Sequence, residues 1–549
     1  MFKHSIREIS NLSTGDTKQV EITFFDDNHR VVDIKRYRVI ESQDIYNQIK
    51  QEVSVSLDDC YIKGFSIAEY RKLNEIDSSL KVILTDFSAR NTFFDAEFEV
   101  DFSGVDFSGK SVTFSQSYFS SSNIHFYKTH FNTESVDFSA VNFGNGNINF
   151  QFSTFVKGRV SFDDAFFGKG IKSFVNVLFN DGEVSFRNVK FGSGDVSFHF
   201  AKFGSGDVSF EKSIFDNGLV DFRKVEFGNG RKDFRRVNFG NGNVSFEETE
   251  FGNGRINFRS AIFGEGSVSF ELADFGLDEV IFEKAEFGTG KLSFYNAQIH
   301  NISFSGCQLN CFVDFRVKSA DRIDLSDTII RDVVDFLPTK SVVKIHELNL
   351  TRVKNLGRIL INWKRNRVYQ LITGQKNTGF REKAEQFNLL KADYNGIGNY
   401  EEEDLAYVEF KRYELKADLY EAIEANNLNS LWAYPLYYFK LLVFDIMGLY
   451  ATNPFRVMVS MTVVFCLFSI SYTILPRFFD ADIICSGADN NKFHYVFLAF
   501  YYSAITFLTI GYGDCLPEGH IKWLAPMEGW MGMFLMAYFT VAFVRKILR

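Results

Sequence analysis

Phenylalanine recurs through the middle of this chain so regularly that very few folds can accommodate the pattern. The sequence contains 65 phenylalanines, and from Phe102 to Phe294 they return at alternating spacings of five and seven residues. Each 12-residue unit reads Val-x-Phe-x-x-Ala-x-Phe-Gly-x-Gly-x, as in Val196 to Asp207. A fixed period this short is typical of a β-solenoid. In an extended segment the Phe and the residue two positions before it share one face, so we expect both to point inward.

The unit is compatible with two coil sizes. Twelve residues could form one thin two-sided coil or half of a four-sided coil. Two Phe side chains need more interior than a thin coil provides, so we favour 24 residues per coil. The roughly 200 repeat residues would then make about eight coils and a rod on the order of 40 Å long, at ~4.8 Å per coil. The glycines of Gly-x-Gly are expected to form corners.

This repeat resembles the pentapeptide-repeat family, in which a small residue and a Leu or Phe two positions later stack in a four-sided right-handed β-helix. The repeat differs by a two-residue insertion at every other corner, so the resemblance does not imply a strictly square cross-section. Solenoids of this kind are scaffolds more often than enzymes. We find no Ser/His/Asp, Cys/His or metal-ligand constellation along the repeat, and we therefore predict that the chain is not an enzyme.

A second feature is a short polar loop near the C-terminal end, between two strongly apolar segments. An ion without its hydration shell needs replacement oxygens, which rings of backbone carbonyls and a threonine hydroxyl can supply. Successive carbonyls face one axis only when alternate residues adopt left-handed backbone angles, which glycine reaches without steric cost. One chain supplies one segment of such a ring, so several chains would have to close the pore. The candidate ion-binding residues are Thr509, Ile510, Gly511, Tyr512 and Gly513.

Together with Asp514 this loop resembles the selectivity filter of potassium channels. The resemblance implies a two-transmembrane channel that assembles as a homotetramer, with potassium bound at Thr509 to Tyr512 as the permeant ion and no organic cofactor. It places a pore helix at 494–508 and an acidic residue, Asp514, at the outer mouth. Tyr501 and Tyr502 fall where the family carries the aromatic residues that brace the filter tyrosine, here Tyr512.

The flanking segments predict the membrane topology. Val457 to Leu475 and Met527 to Val544 are each long and apolar enough to span a bilayer. Leu431 to Tyr450 is apolar, is interrupted by Lys440 and Asp445 and is rich in aromatics, so we interpret it as an interfacial helix. The N-terminus lacks a secretory signal. Basic residues beside both spans place both termini in the cytoplasm of a multi-pass protein of the plasma (cell inner) membrane, namely Lys440, Arg456, Arg545, Lys546 and Arg549.

These features divide the chain into five predicted segments. They are a small α/β cap at 1–52, a Phe-rich β-solenoid at 53–340, a cytoplasmic helical hairpin and linker at 341–430, the interfacial helix and elbow at 431–454, and the two-transmembrane pore domain at 455–549. In the cap, Gln19 to Phe25 and Val31 to Ile40 alternate as strands, and Gln43 to Gln51 suits a helix. In the linker, Phe380 to Tyr394 and Tyr400 to Ala425 predict the two helices of the hairpin.

Charge and cysteine content restrict the partners further. A net charge of -9, with basic residues interspersed along the repeat, argues against a nucleic-acid partner and against DNA mimicry. The basic surplus from Lys344 to Arg367 is either a solvated face or a contact for an anionic lipid or an unknown ligand. We expect lone buried thiols at Cys60, Cys307 and Cys311. Cys485 and Cys515 flank the pore loop on the predicted outer face, where they could form a disulfide or remain free.

Two functions from different classes remain. The first is a potassium channel whose cytoplasmic solenoid and hairpin regulate opening. The second is a membrane-anchored interaction scaffold with a vestigial or non-selective cation pore. An intact filter favours the first, because a membrane anchor has no need for Thr509, Gly511 and Gly513 together. With little sequence after the second span, we expect regulation to reach the gate through 431–454 or through direct contact of the hairpin with the inner helix ends. Gly529 and Gly532 are either flexible points or sites of close packing.

Overall fold

A computed structural model describes residues 3–9, 18–26, 28–77, 80–120, 123–338, 344–425, 430–479, 481–486 and 492–548. The chain divides into two compact units, Met1–Lys376 and Asn377–Arg549. The first contains the β-solenoid with its N-terminal cap, and the second is mostly helical.

The cap is a short sheet with two helices. Strands β1 (Lys3–Ile9), β2 (Gln19–Phe25) and β3 (Val31–Glu41) are antiparallel, and β4 (Cys60–Lys63) pairs in parallel with β3. Helices α1 (Ser42–Lys50) and α2 (Ile67–Leu73) follow β3 and β4. The two strands and the helix predicted here are confirmed to within one residue at each end. Because β4 pairs with the solenoid strand Phe93–Asp95, the cap sheet continues directly into one side of the solenoid.

The solenoid has four sides of parallel strands. Two sides are long sheets, with 12 strands from Glu99–Asp101 to Arg358–Leu360 and 11 strands from Ser111–Thr113 to Lys344–Asn349. The other two sides consist of shorter ladders connected by isolated bridges such as Asn142↔Phe166. In the regular region each residue contacts its equivalent 24 residues along the chain, as Lys202 does with Glu226. The 24-residue coil is therefore confirmed, and the thin 12-residue coil is excluded.

The solenoid is longer than the repeat predicted. The 12-stranded side exceeds the expected eight coils, and its last strand, Arg358–Leu360, lies beyond the predicted boundary at 340. In these last coils the pairs Val280↔Ile302 and Val334↔Ile359 depart from the 24-residue spacing. The sequence period fails there because the coils change length, although the fold continues. Within the basic segment after 340, Arg352 pairs with Asp327 of the neighbouring coil at 2.6 Å.

Columns of stacked phenylalanine rings fill the solenoid core. Rings one coil apart stack almost in parallel, as in Phe126–Phe150 with 4.7 Å between centroids and 7° between planes. Rings of the two central columns meet edge to face, as in Phe126–Phe138 at 5.5 Å and 79°. Such aromatic pairs contribute about 0.5–1.5 kcal/mol beyond the area they bury. The alternating five and seven spacing therefore encodes four columns of rings, one set of four per coil.

The corners of the coil are of two kinds. At Gly-x-Gly corners successive coils approach so closely that a Cβ added at Gly206 would collide with the carbonyl of Gly182 one coil before. At the intervening corners non-glycine residues take left-handed angles every 12 residues, including Asn176 (φ 55°) and Asn188 (φ 58°). Each costs about 1–2 kcal/mol, and each donates its N–H to the next coil, as Asn176 does to His199 O at 2.9 Å. The sequence analysis did not identify this second corner.

Buried cysteines occur where predicted. Cys60, Cys307 and Cys311 are free and buried. Desolvation by burial raises the pKa of the Cys307 and Cys311 thiols to about 12, so both are inert at neutral pH. Helix α3 (Val368–Thr373) packs on the solenoid strand Lys344–Asn349.

The second unit begins with a helical hairpin, α4 (Phe380–Gly396) and α5 (Tyr400–Glu424), which pack closely together. Next come α6 (Ser430–Lys440), a π-helical turn (Leu441–Ile446), α7 (Pro454–Ile474), α8 (Lys492–Phe507) and α9 (Leu524–Ile547). Two antiparallel strands, Ala481–Cys485 and Cys515–Gly519, lie on either side of α8 in sequence. The pore helix predicted at 494–508 corresponds to α8.

The predicted interfacial helix is not continuous. After Ser430–Lys440 the chain forms the π-helical turn, and Leu449, Tyr450 and Ala451 then adopt left-handed angles with φ of 47°, 54° and 61°. We call Leu441 to Asn453 the elbow. The helix ends early because Asp445 is drawn to a cation on α5, as described below, and because Gly448 lies too close to Tyr538 for a side chain.

Candidate functional site

Two helices of the second unit are long and apolar enough to cross a membrane. They cover Pro454–Arg477 and His520–Ile547 and contain the predicted spans. Pro454 opens α7, and the Asn453 side chain accepts a hydrogen bond from the Arg456 N–H at 3.1 Å. This is a favourable start for a helix, because proline fixes the first helical φ and the asparagine satisfies a free amide.

Helix α8 is held between the two spans. Tyr502 is 5% exposed and meets Tyr472 of α7 edge to face at 5.1 Å. On the other side a Cβ at Gly532 of α9 would collide with the carbonyl of Phe507, whereas one at Gly529 would make an ordinary contact of 3.7 Å with Thr506 O. Gly532 is therefore a site of close packing between α9 and the end of α8.

The loop after α8 has an alternating backbone. Thr509, Gly511 and Gly513 have φ of 53°, 57° and 78°. Nothing lies within 4 Å of a Cβ built at Gly511 or Gly513, so the left-handed angle itself, and not crowding, is what requires glycine there. The loop is anchored to α8 because the amides of Ile510 and Gly511 both donate to the Ile505 carbonyl, at 2.8 and 3.2 Å. Left-handed residues at every second position turn successive carbonyls in a common direction, as an ion-binding loop requires.

The side chains of this loop are not buried within a single chain. Tyr512 is 70% exposed and Ile510 is 48% exposed. Tyr501 donates a hydrogen bond to Asp514 Oδ2 at 2.7 Å, while Tyr502 faces the first span. The predicted bracing of Tyr512 by Tyr501 and Tyr502 stays a prediction.

A disulfide and a backbone hydrogen bond hold the end of the loop. Cys485 and Cys515 form a disulfide between directly paired positions of the two antiparallel strands. The Ser486 N–H donates to Asp514 O at 2.9 Å. Asp514 is therefore restrained through both its backbone and its side chain. The disulfide proposed from the sequence is present in the structure.

A buried carboxylate lies behind the loop. Glu528 of α9 is 0% exposed, and the hydroxyl of the fully buried Ser503 on α8 donates to its Oε1. This contact links the second span to the helix that carries the loop. The sequence analysis missed Glu528, although a carboxylate inside an apolar span is by itself a signal of function.

At the other end of α9, two basic residues contact the helical hairpin. Arg545 Nη2 and Lys546 Nζ donate to the two carboxylate oxygens of Asp404 on α5, at 2.8 and 2.7 Å. The Arg545 guanidinium also lies 4.5 Å from the ring centroid of Tyr407. Asp404 is only 7% exposed, so the contact is shielded from solvent. We call Asp404, Tyr407, Arg545 and Lys546 the inner latch.

The elbow is attached to the same two helices. Arg412 of α5 donates to both oxygens of Asp445, each at 2.8 Å, and to Glu409 Oε1 at 2.7 Å. Desolvation raises the pKa of the Glu409 carboxyl, and Arg412 partly offsets this effect. On the other side, the Tyr538 hydroxyl of α9 donates to Phe444 O and accepts from the Ala451 N–H, both at 3.0 Å. From the sequence, Asp445 was only an interruption in an apolar segment.

Comparison with known proteins identifies this region. Residues 457–549 match the family model described as ion channel. No curated protein and no solved structure matches the chain significantly. The C-terminal part of the chain is therefore an ion channel domain of the two-transmembrane class, and a β-solenoid and a helical hairpin precede it. The protein is a membrane protein.

Proposed function

We propose that this chain is one subunit of a potassium-selective channel of the cell membrane, with four copies around a central pore and both termini in the cytoplasm. Potassium would bind to the carbonyls of Thr509, Ile510, Gly511 and Tyr512 and to the Thr509 hydroxyl. The observation that carries the proposal is the alternation of left-handed angles at Thr509, Gly511 and Gly513. The exposure of Tyr512 in one chain agrees with a site that neighbouring subunits complete.

The alternative is an interaction scaffold with a vestigial or non-selective pore. Several contacts restrain the loop without having any use in a scaffold. The Ile505 carbonyl binds two loop amides, Tyr501 and Ser486 hold Asp514, and the Cys485–Cys515 bridge closes the strands behind it. These contacts favour a conducting filter over a membrane anchor.

Reversal potentials test selectivity directly. The full chain, reconstituted in planar bilayers between potassium and sodium solutions, should give a reversal potential close to that of potassium. Chemical cross-linking of the same preparation should yield a ladder that ends at four copies. Equal permeability of the two ions would leave the scaffold as the better interpretation, and a ladder that stops at two would exclude the tetramer.

Regulation by the cytoplasmic segments is the second part of the proposal. The inner latch connects α5 to the inner end of α9, and Arg412 connects α5 to the elbow before α7. A displacement of the hairpin would therefore act on both spans at once. We infer that the hairpin transmits regulation to the gate by these two contacts.

A further inference from the structure

One side of the solenoid carries a cavity whose charge is unlike that of its neighbours. The cavity has a volume of ≈ 330 Å³ and lies over the outer face of the 11-stranded sheet. Five cationic side chains and two carboxylates line it, namely Arg187, Arg231, Lys232, Arg235, Arg255, Asp207 and Asp233. A larger cavity of the same solenoid, ≈ 500 Å³, is instead lined by carboxylates that include Glu250, Asp274 and Asp321. We call the first cavity the arginine pocket.

A buried lysine forms part of this pocket. Lys232 is 1% exposed and occupies an inward position where its partners in the adjacent strands are Val208 and Ile256. Its ammonium reaches the edge of the core and donates to the Asn253 carbonyl. A cation at an apolar core position costs free energy of solvation. A valine would fill this position without that cost, so packing alone does not account for the lysine.

The arginines are held in place by carboxylates. Arg231 pairs with Asp207 at 2.9 Å and Arg235 with Asp233 at 2.6 Å. Arg255 pairs with Glu279 at 3.0 Å, and Arg187 with Glu183 at 3.2 Å. A guanidinium carries five N–H donors, and one carboxylate occupies at most two of them. Each pair therefore fixes the orientation of a guanidinium and leaves donors for a further anion.

We propose that the arginine pocket binds a small soluble molecule that bears several phosphate groups. Oriented guanidinium groups match phosphate oxygens in geometry and charge. The cavity volume lies at the lower end of the range for small-molecule sites. Binding at this pocket does not depend on conduction, so the inference goes beyond the proposed channel function.

Titration calorimetry with inorganic tripolyphosphate tests the site on the full chain in detergent, at constant ionic strength. Saturable binding is expected for the parent protein. Lys232→Val should weaken this binding by about tenfold or more, while restoring the residue type of the neighbouring coils. The matched control is Lys172→Val, because Lys172 is equally buried at an inward position of the 12-stranded sheet but does not line the pocket. Lys172→Val should bind as the parent does.

A second variant separates the pocket from the buried lysine. Arg231→Gln combined with Arg255→Gln leaves Lys232 unchanged and should also weaken binding by about tenfold. Absence of saturable binding in the parent protein would overturn the proposal. So would an equal loss in the Lys172→Val and Lys232→Val variants. Binding of the protein to vesicles that contain phosphatidic acid, without binding of tripolyphosphate, would show that a lipid surface and not a soluble phosphate compound is the ligand.

Discussion

At the scale of single residues, the pore loop depends on backbone angles that only glycine adopts easily. Gly513 has φ 78°, and nothing lies within 4 Å of the position where a Cβ would be placed. Space would therefore permit a side chain, but conformation would not. The penalty for a residue with a Cβ in the left-handed region is about 1–2 kcal/mol, and in a tetramer it would apply in every subunit.

We predict that Gly513→Ala abolishes the preference for potassium over sodium, because the loop would relax away from the left-handed angle. Reversal potentials of the variant, recorded as for the parent, measure this loss. Gly529→Ala is the matched control, since a Cβ there makes only an ordinary contact inside a helix, and its selectivity should equal that of the parent. Retained selectivity in Gly513→Ala would show that the loop is not the filter.

The two buried lysines of the solenoid make its stability depend on pH. Desolvation lowers the pKa of Lys172 and Lys232 from 10.5 to about 8. The unfolded chain therefore binds these protons at a higher pH than the folded chain does. Stability should rise with pH between about 8 and 10.5, and below about 8 the full penalty applies, on the order of 3 kcal/mol for each lysine.

We predict that Lys172→Val raises the melting temperature of the solenoid near pH 7 and that the gain shrinks as the pH approaches about 10.5. Circular dichroism melting curves of the parent and the variant at both pH values measure the effect. Lys202→Val serves as the control, because the Lys202 side chain is 56% exposed and pairs with Glu226 at 2.6 Å. A gain that does not change with pH would mean that packing, and not desolvation of the ammonium, causes it.

At the scale of secondary-structure elements, α5 connects the two sides of the gate. It holds the inner end of α9 through Asp404 and the elbow through Arg412. Both contacts are partly or fully shielded from water, where hydrogen bonds between charged groups contribute about 1.5–3 kcal/mol. The helix is thus positioned to transmit a displacement to both spans.

We predict that Asp404→Asn raises the open probability about tenfold, because it weakens the inner latch by on the order of 1.4 kcal/mol and frees the inner end of α9. Potassium selectivity should not change, because Thr509 to Gly513 belong to a loop at the opposite end of α9 in the chain. Single-channel recording provides both quantities. Glu401→Gln, an exposed carboxylate on the first turn of the same helix, is the control. An unchanged open probability in Asp404→Asn would exclude the latch as a route to the gate.

At the scale of the whole molecule, the elbow is the covalent route from the cytoplasmic segments to the first span. Its three consecutive left-handed residues, Leu449 to Ala451, are held by Tyr538 and by the Asp445–Arg412 pair. Non-glycine residues keep such angles only where the surrounding contacts maintain them. The elbow should therefore transmit force as a stiff connection.

We predict that a Gly-Ser pair inserted after Ala451 uncouples opening from the cytoplasmic segments and leaves selectivity intact. The open probability of the insertion variant should no longer change when Asp404→Asn is added. The same pair inserted after Gly398, in the turn between α4 and α5, is the control and should leave the response to Asp404→Asn as in the parent. A full response in the Ala451 insertion would leave the inner latch as the route.

Local rules of sequence were sufficient for the elements whose cause is local. The Phe spacing predicted the 24-residue coil because stacked rings must recur once per coil, and hydropathy predicted the two spans. The pore loop was recognisable because Gly511 and Gly513 alternate with residues that bear side chains. Such features depend on periodicity and backbone angles, which neighbouring residues determine.

Only the tertiary structure revealed the contacts between distant parts of the chain. The last coils lost their period because they change length, so the end of the solenoid beyond 340 was hidden. Glu528, the Asp404–Arg545 contact and the Asp445–Arg412 pair join residues far apart in sequence, and a charged side chain does not indicate its partner. Free energy from burial and ion pairing depends on what surrounds a group in space, and that arrangement exists only in the folded chain.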